Sequence, residues 1–415
     1  MTVGKAAFPV VVSTAQPLIK MNTIPASVAG LWSRGASAFR LFALCFSSLF
    51  LLVAFGSSQL HALAFTGAMG FGANATGGTG GTVYTVTNLS DNGTGSFRDA
   101  VSAGNRIVQF NVHGYIKLLS AVSCSSNLTI LGNTSPGTGI GIEGAEVSFS
   151  KHSNIICRYM RFRQGTLGDS GQSAVNIGGG SDMIFDHCSL EFGQWDSFDA
   201  VTCSNVTVQN CIIADPINQQ FGAHVEGSNF TFIDNLWVSC HNRQPLAKDS
   251  DQYIQNVIYN YELGYTVANT GGIFSHDIVN NYFITGPATT TPSDCFFQMN
   301  IGQSCYSAGN LLDSNNDGSL NGSSVAPTGV TVLTSPWAST TNSLTTMTAA
   351  QAYTYVLSNA GDLPYDQLDQ LVISQVQKLG HGTTGTGAGT DGPGTGLYTS
   401  QTQTGLSNGG YGTIP

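Results

Sequence analysis

Residues 182–190 read DMIFDHCSL, and residues 205–213 read NVTVQNCII. In both segments a polar residue is followed by a short β-rich apolar run. A polar pair comes next, and a second apolar stretch follows that pair. Related segments open at residues 127, 154, 229, 252 and 275, so that successive steps are 27, 28, 23, 24, 23 and 23 residues. Repeats of this length, with short strands and little helical signal, predict a solenoid of stacked β-coils.

The repeat indicates an all-β fold, a right-handed parallel β-helix. A single coil cannot bury its apolar face, whereas stacked coils share a continuous core. A β-sandwich would need strands every ~8–12 residues joined by hairpin turns, and a leucine-rich repeat would need a leucine framework; the sequence has neither. The polar pairs Gln209-Asn210, Asp234-Asn235 and Asn280-Asn281 are typical of turns at which asparagine side chains stack in ladders.

Residues 1–64 have the make-up of a secretory signal peptide. The apolar run LFALCFSSLFLLVAFG at 41–56 follows Arg34 and Arg40, and the small-x-small site Ala62-Leu63-Ala64 comes after it. The alternative is an N-terminal membrane anchor, which would need about 20 apolar residues. We therefore expect a secreted, extracellular protein that has no membrane segment after cleavage.

The C-terminal part contains the main helical signal. Residues 366–379, DQLDQLVISQVQKL, predict an amphipathic helix with Leu368, Leu371, Val372 and Val376 on one stripe. We predict that residues 65–379 form one β-helix domain, with 65–110 as its cap and first strands. Residues 380–415 are predicted to be a Gly/Thr-rich tail.

Charge excludes one class of partner. Cleavage after Ala64 removes four basic residues and no acidic ones, which leaves 10 basic and 24 acidic residues and a formal charge of −14. Such a chain does not bind nucleic acid through its overall field. A polyanionic ligand would also be repelled unless a bound cation or a local basic patch intervened.

Cysteines and glycosylation sequons both suit an oxidising, extracellular environment. Eight cysteines remain after cleavage, an even number. Aligning the repeats places Cys188 beside Cys211 on adjacent coils, as a disulfide or as two stacked thiols, and Cys295 and Cys305 would close a loop of their own. Eight N-x-S/T sequons favour a glycoprotein: Asn74, Asn88, Asn92, Asn127, Asn133, Asn205, Asn229 and Asn321.

The segment FTGAMGFGANATGGTGGTVYTVTNLSDNGTGSFRDAV (65–101) resembles the amino-terminal end of the pectate lyase family, polysaccharide lyase family 1. The likeness continues through NIICRYMRFRQG (154–165), MIFDHCSLEFGQWDSFDA (183–200) and NLWVSCHNRQPLAK (235–248), and it covers residues 65–285. The resemblance implies a monomeric lyase that cleaves pectate (polygalacturonate), a polyuronide of pectin, by β-elimination with calcium (Ca²⁺) as cofactor. The closest subfamilies have R-x-P-x-x-K and W-D-x-x-D motifs.

The resemblance also implies which residues act as base and bind substrate. The family's R-x-P-x-x-R motif matches Arg243, Pro245 and Lys248, with Lys248 in place of the second arginine. Arg243 is then the base, and Lys248 binds a substrate carboxylate as a point charge instead of a bidentate fork. Gln219 or Gln220 stands where the family has a lysine, which makes Gln220 a candidate substrate contact.

Calcium ligands follow from the same resemblance. Asp196 and Asp199 match family carboxylates, whereas Ser173 stands at an earlier carboxylate position and leaves Asp169 as a third candidate. The ion would stabilise the carbanion formed at C5 as a Lewis acid, and it would reconcile an acidic protein with a polyanion. These aspartates otherwise serve as turn caps.

Some further residues allow either a functional or a structural interpretation. Arg163 and Arg161 share a strand face, where they bind substrate carboxylates or pair with Asp186 or Glu191 on the next coil. The aromatic rings of Trp195 and Trp237 stack on sugars or pack internally. Finally, His187 in the DH motif is expected to make a structural hydrogen bond.

Two other functions remain open from the sequence, and a third is set aside. Loss of a carboxylate at Ser173 suits a calcium-independent pectin lyase that acts on methyl-esterified substrate. The changed residues Gln219, Gln220 and Lys248 suit a non-catalytic polysaccharide-binding β-helix. A β-helix hydrolase would need paired acids in general acid and base roles, whose accompanying aspartate motifs are absent from this sequence.

Overall fold

The computed structural model describes residues 62–267, 272–299, 302–379 and 397–415. These residues form a parallel β-helix, which confirms the predicted fold class. All but the last three residues of the predicted signal peptide lie outside the described residues. Within the described ranges, no helix is long and apolar enough to cross a membrane.

Three faces of parallel strands enclose the core. Face 1 runs from the amino-terminal to the carboxy-terminal end through Thr82–Val86, Arg106–Phe110, Leu128–Leu131, Ile155–Arg158, Ser181–Asp186, Asp251–Ile254, Ser275–Val279, Ser304–Ala308 and Thr331–Val332. Face 2 contains Val122–Ser123, Val147–Ser148, Val175–Asn176, Leu246–Lys248, Tyr265–Thr266 and Phe296–Phe297. Two long strands, Asp196–Gln209 and Phe221–Ile233, bend from face 2 into face 1.

Face 3 completes each coil. It is built from Gly114–Lys117, Ile140–Glu143, Arg161–Arg163, Ser189–Glu191, Ile212–Ala214, Leu236–Val238, Val257–Tyr259, Tyr282–Ile284 and Leu311–Asp313, and the short strand Ser323–Ser324 adds antiparallel to its end. Inward side chains from the three faces form one continuous apolar core from Val86 to Cys305. The sequence repeat of about 23 residues is therefore one coil of the helix.

The turn between faces 1 and 3 explains the polar pairs. Its first residue takes a positive φ, which is 59° at Asp234 and 57° at Asn280, because the chain must bend sharply there. The second residue is a buried asparagine, and Asn235, Asn256 and Asn281 hydrogen-bond to the next coil at 2.8 to 3.1 Å. The predicted asparagine ladder is confirmed at Asn235 and Asn281. At Gln209-Asn210 the positive φ, 49°, falls on Asn210 instead, and Cys211 takes the ladder position.

The Gly-rich amino-terminal segment runs across the outside of face 1. The backbone amides of Met69, Phe71 and Gly72 donate to the side chains of Gln209, Thr231 and Thr207. A Cβ atom at Gly72 would collide with the backbone carbonyl of Met183, so a larger residue would lift the segment from the sheet. Helix α1, Phe97–Val101, then closes the end of the core.

Three helices follow the last coil, namely α2 (Thr341–Leu344), α3 (Ala349–Asn359) and α4 (Gln367–Gln377). Helices α3 and α4 cover face 3, whereas α2 lies on face 1, where Thr341 contacts Gln252 and Asp277. Short 3₁₀ turns occur at Gly132–Thr134, Pro292–Cys295, Gln401–Thr404 and Asn408–Gly410. Leu368, Val372 and Val376 of α4 pack against face 3, as the predicted stripe requires. The Asp366 side chain accepts the amides of Leu368 and Asp369 and so caps α4.

The last part of the predicted tail of residues 380–415 is packed against the domain. The Gly-rich stretch 380–396 lies outside the described residues. Residues 397–415 instead pack on the helices and face 3, where Tyr398 and Tyr411 are buried. Two apolar aromatic anchors, which a count of glycines overlooks, hold this segment to the domain.

The cysteines stack as thiols. Cys188 and Cys211 occupy adjacent coils as predicted, with the Cys188 amide 3.4 Å from the Cys211 sulfur, yet both are free and buried. Cys295 and Cys305 are also free and buried, so the expected loop disulfide is not formed. In this core cysteine acts as a small apolar residue.

One buried turn residue should make stability depend on pH. Burial raises the pKa of Asp234 to about 7 from its ordinary 3.8. The folded state therefore binds the proton more tightly than the unfolded state, and this stabilisation is lost as the pH rises from about 4 to about 7. We expect Asp234→Asn, which keeps an oxygen acceptor for Gln255, to exceed the wild type in unfolding free energy by a gap that widens across this window to a few kcal/mol.

Urea unfolding at pH 4, 6 and 8 measures this gap, with the exposed Asp317→Asn as the matched control. A gap that is the same at all three pH values would show that ionisation of Asp234 does not affect stability.

Candidate active site

The outward side of face 2 gathers the predicted functional residues. Asp196 and Asp199 begin the long strand Asp196–Gln209, and strand pairing places His224 beside Asp199. The next strand, Leu246–Lys248, places Lys248 beside Glu226. Residues that are 22 or 25 positions apart in the sequence thus become neighbours because consecutive coils stack in register.

Asp196, Asp199 and His224 form the one group of potential metal-binding side chains found among the described residues, with ligand atoms within 4.8 Å of one another. Asp196 is buried, while the other two are partly exposed. Burial raises the pKa of Asp196 to about 7 and that of Asp199 to about 6, and the charge of Glu146 adds to the second shift. Burial also lowers the pKa of His224. A bound cation would relieve the repulsion between these carboxylates.

Glu146 is a site residue that the sequence interpretation missed. It is buried one residue before Val147–Ser148, the strand that pairs with Val175–Asn176, and its carboxylate accepts the Ser173 amide at 3.0 Å. Its charge acts on Asp199. The sequence signal that could have revealed Glu146 is the 28-residue step between these two paired strands. This step stacks the turn that contains Glu146 near Asp196 and Asp199.

Arg243 lies against the acidic pair. Its Nη1 donates to the two Asp196 oxygens at 3.1 and 3.3 Å, and the guanidinium carbon lies 3.8 Å from the centre of the Phe221 ring. Trp195 packs edge-on against Phe221 and is 39% exposed. The site therefore combines a fixed guanidinium with an accessible aromatic surface beside it.

Lys248 is held by a shared carboxylate. Its Nζ donates to Glu226 Oε1 at 2.6 Å, and His224 Nε2 lies 2.8 Å from the same oxygen. The Lys248 hydrogen bond is the main cause that lowers the pKa of Glu226. Glu226 was not predicted from the sequence, because its position beside Lys248 depends on register.

Several predicted site residues lie elsewhere. Asp169 is in an exposed loop outside the metal-binding group, although its charge reaches Glu146. Gln220 donates to the Tyr398 carbonyl at 2.7 Å, which ties it to the carboxy-terminal segment. Trp237 is fully buried in the core, so its predicted alternative of internal packing is confirmed and sugar stacking is wrong.

Arg163 does not line the site. It is 1% exposed on face 3 and pairs with Glu191, Asp366 and Asp369. The predicted substrate role is therefore wrong, and the structural alternative with Glu191 on the next coil is confirmed. The physical reason is that α4 supplies carboxylates that cover the arginine face.

The donor set suits a divalent cation. Asp196 and Asp199 offer hard oxygen atoms, which Ca²⁺ prefers, and buried Glu146 adds negative charge. Arg243 and Lys248 next to them would bind carboxylates of a ligand. The same face can thus hold a cation and a polyanion together.

A parallel β-helix with this set of carboxylates and cationic side chains has the make-up of a polysaccharide lyase, since each uronide sugar presents a carboxylate next to its acidic proton. No family model matches the chain. Probable pectate lyase C of Aspergillus fumigatus is 40% identical over 340 residues, which cover 79% of this chain and 80% of the relative. The chain belongs to the pectate lyase family, and it is a polysaccharide lyase.

Two other proteins are similar to this chain at lower sequence identity. A pectin lyase of Pectobacterium carotovorum is 26% identical over 324 residues, covering 71% of this chain and 94% of the relative. The solved structure of the thermostable pectate lyase PL 47 superposes with a TM-score of 0.55 at 14% identity, covering 73% and 98% of the two chains. The structural likeness establishes the fold alone.

Proposed function

We propose that this chain is a calcium-dependent pectate lyase that cleaves polygalacturonate by β-elimination, with Arg243 as the base. The observation that supports this most is the 3.1 Å contact between Arg243 and Asp196, which puts a base candidate against a cation-binding acidic pair. The relatives named pectate lyase are nearer in sequence than the one named pectin lyase, which favours the acidic polymer over its methyl ester.

The chemistry requires removal of the C5 proton and departure of the glycosidic oxygen from C4. Asp196 and Asp199 would hold the calcium ion, which supplies Lewis-acid stabilisation of the charge that develops at the C6 carboxylate. Arg243 would take the C5 proton as the base. Contacts with Phe221 and Asp196 fix its guanidinium beside the acidic pair.

Two other side chains position the polymer. Lys248, 21% exposed at its side chain, offers an ammonium group to a uronate carboxylate. Trp195 offers a ring face to a sugar. Lys248 has one proton donor already engaged by Glu226, which leaves further donors for substrate.

Asp199→Asn tests the calcium site, with Asp169→Asn as the matched control. We expect Asp199→Asn to weaken calcium binding on the order of 100-fold, because one anionic ligand is lost, and to raise the calcium concentration needed for polygalacturonate cleavage. Asp169→Asn should leave both quantities unchanged. Calorimetric titration with calcium, together with initial rates in calcium and in chelator, measures them.

Full activity of the wild type in chelator would contradict the calcium site and favour a calcium-independent lyase. Calcium binding without cleavage of either polygalacturonate or esterified pectin would favour a polysaccharide-binding protein instead.

We also propose that the protein is a secreted monomeric glycoprotein. The apolar run, the cleavage site and the sequons support this proposal. Expression in a eukaryotic host should release into the medium a protein that begins at Phe65 and shifts in mass on deglycosylation. Retention of residues 1–64 in the membrane fraction would contradict it, and light scattering would reveal any oligomer.

A further inference from the structure

His224 lies at the edge of the acidic pair. Its Nδ1 lies 4.0 Å from Asp199 Oδ1, and its Nε2 lies 2.8 Å from Glu226 Oε1. An ion that bonds to two ligand atoms at about 2.0–2.4 Å can bridge a separation of this size.

Glu226 determines which imidazole nitrogen of His224 is available to a metal ion. Lys248 Nζ donates to Glu226 Oε1 at 2.6 Å, so the oxygen that faces His224 acts as an acceptor. A carboxylate only accepts hydrogen bonds, so in the neutral imidazole Nε2 carries the proton and Nδ1 keeps its lone pair toward Asp199. A carboxylate that orients a histidine in this way is the usual outer partner of a metal-binding imidazole.

We propose that His224 is a third ligand of the cation held by Asp196 and Asp199, so that this site binds a divalent transition metal ion more tightly than calcium. The inference rests on the proposed function, because it concerns the same cation site. Calcium favours oxygen ligands throughout, whereas an imidazole nitrogen beside two carboxylates suits ions such as Co²⁺.

Metal titration of the whole chain tests the proposal. Chelator-treated wild type, His224→Asn, Glu226→Gln and the exposed control His113→Asn are each titrated with Co²⁺, followed by its visible absorption, and with Ca²⁺ by calorimetry. We expect wild type to bind Co²⁺ more tightly than Ca²⁺. His224→Asn should raise the Kd for Co²⁺ roughly 100-fold and that for Ca²⁺ less than about 3-fold, since an amide oxygen still suits calcium. Glu226→Gln should raise the Kd for Co²⁺ about 10-fold, and His113→Asn should not change it.

Calcium binding by wild type, with Co²⁺ binding that is weaker or independent of His224, would overturn this inference and leave the proposed function intact. An equal loss of both ions in His224→Asn would also overturn it, because it would show a structural role. Failure of wild type to bind either ion would contradict the proposed calcium site as well.

Discussion

Replacement of Arg243 by alanine is expected to lower turnover of polygalacturonate roughly 10³-fold, because it removes the base. The same change should not weaken calcium binding. Arg243 donates to Asp196, so its loss frees a carboxylate of the cation site instead of removing one. Loss of turnover with calcium affinity retained or raised therefore separates a base from a residue that builds the cation site.

Initial rates at saturating calcium and calorimetric titration measure the two effects. Arg98→Ala, which removes a remote arginine that is 26% exposed, is the control for loss of positive charge. Arg243→Lys adds a second comparison, since it keeps the charge and loses the planar guanidinium. Turnover within 10-fold of wild type in Arg243→Ala would show that another group takes the C5 proton.

Replacement of Arg163 by alanine is expected to destabilise the protein by about 3–5 kcal/mol, because it leaves buried carboxylates without their partner. Arg163 pairs with Glu191, Asp366 and Asp369, whose side chains are fully buried. Burial alone would raise the pKa of Asp366, but the charges of Arg163 and Arg161 lower it below its usual range. These ion pairs connect face 3 to the cap of α4.

Denaturant unfolding measures the effect, and Arg98→Ala, which removes a partly exposed arginine, should cost less. Adding Asp366→Asn to Arg163→Ala should recover part of the loss, because it removes one unpaired charge, and the double-mutant cycle quantifies the coupling. If Arg163→Ala unfolded like Arg98→Ala but bound polygalacturonate more weakly, the residue would be a substrate contact after all.

The coil repeat made the fold predictable. Step lengths between segments that open at Asp182, Asn205 and Asn229 are enough to stack coils, and the polar pairs then mark the turns. Asp196 and Arg243 came from motif resemblance, and the structure brings them into contact. Stacked coils convert distant motifs into neighbours, which explains why a repeat carries so much information about the site.

Other features depend on contacts that a repeat does not encode. Arg163 points away from the core, as a substrate contact would. Only the position of α4 shows that carboxylates cover it. Glu146 and Glu226 enter the site through register between coils of different length. Asp169 lies in an exposed loop, outside the group formed by Asp196, Asp199 and His224.

Product chemistry tests the central claim most directly. Purified residues 65–415 are incubated with polygalacturonate and calcium at alkaline pH, and ultraviolet absorbance of the unsaturated uronide is followed beside Arg243→Ala. Elimination by Arg243 predicts a steady rise for the wild type that is absent from the variant and from wild type in chelator. New reducing ends without that absorbance, or no product at all from either polygalacturonate or esterified pectin, would contradict a lyase built on Arg243.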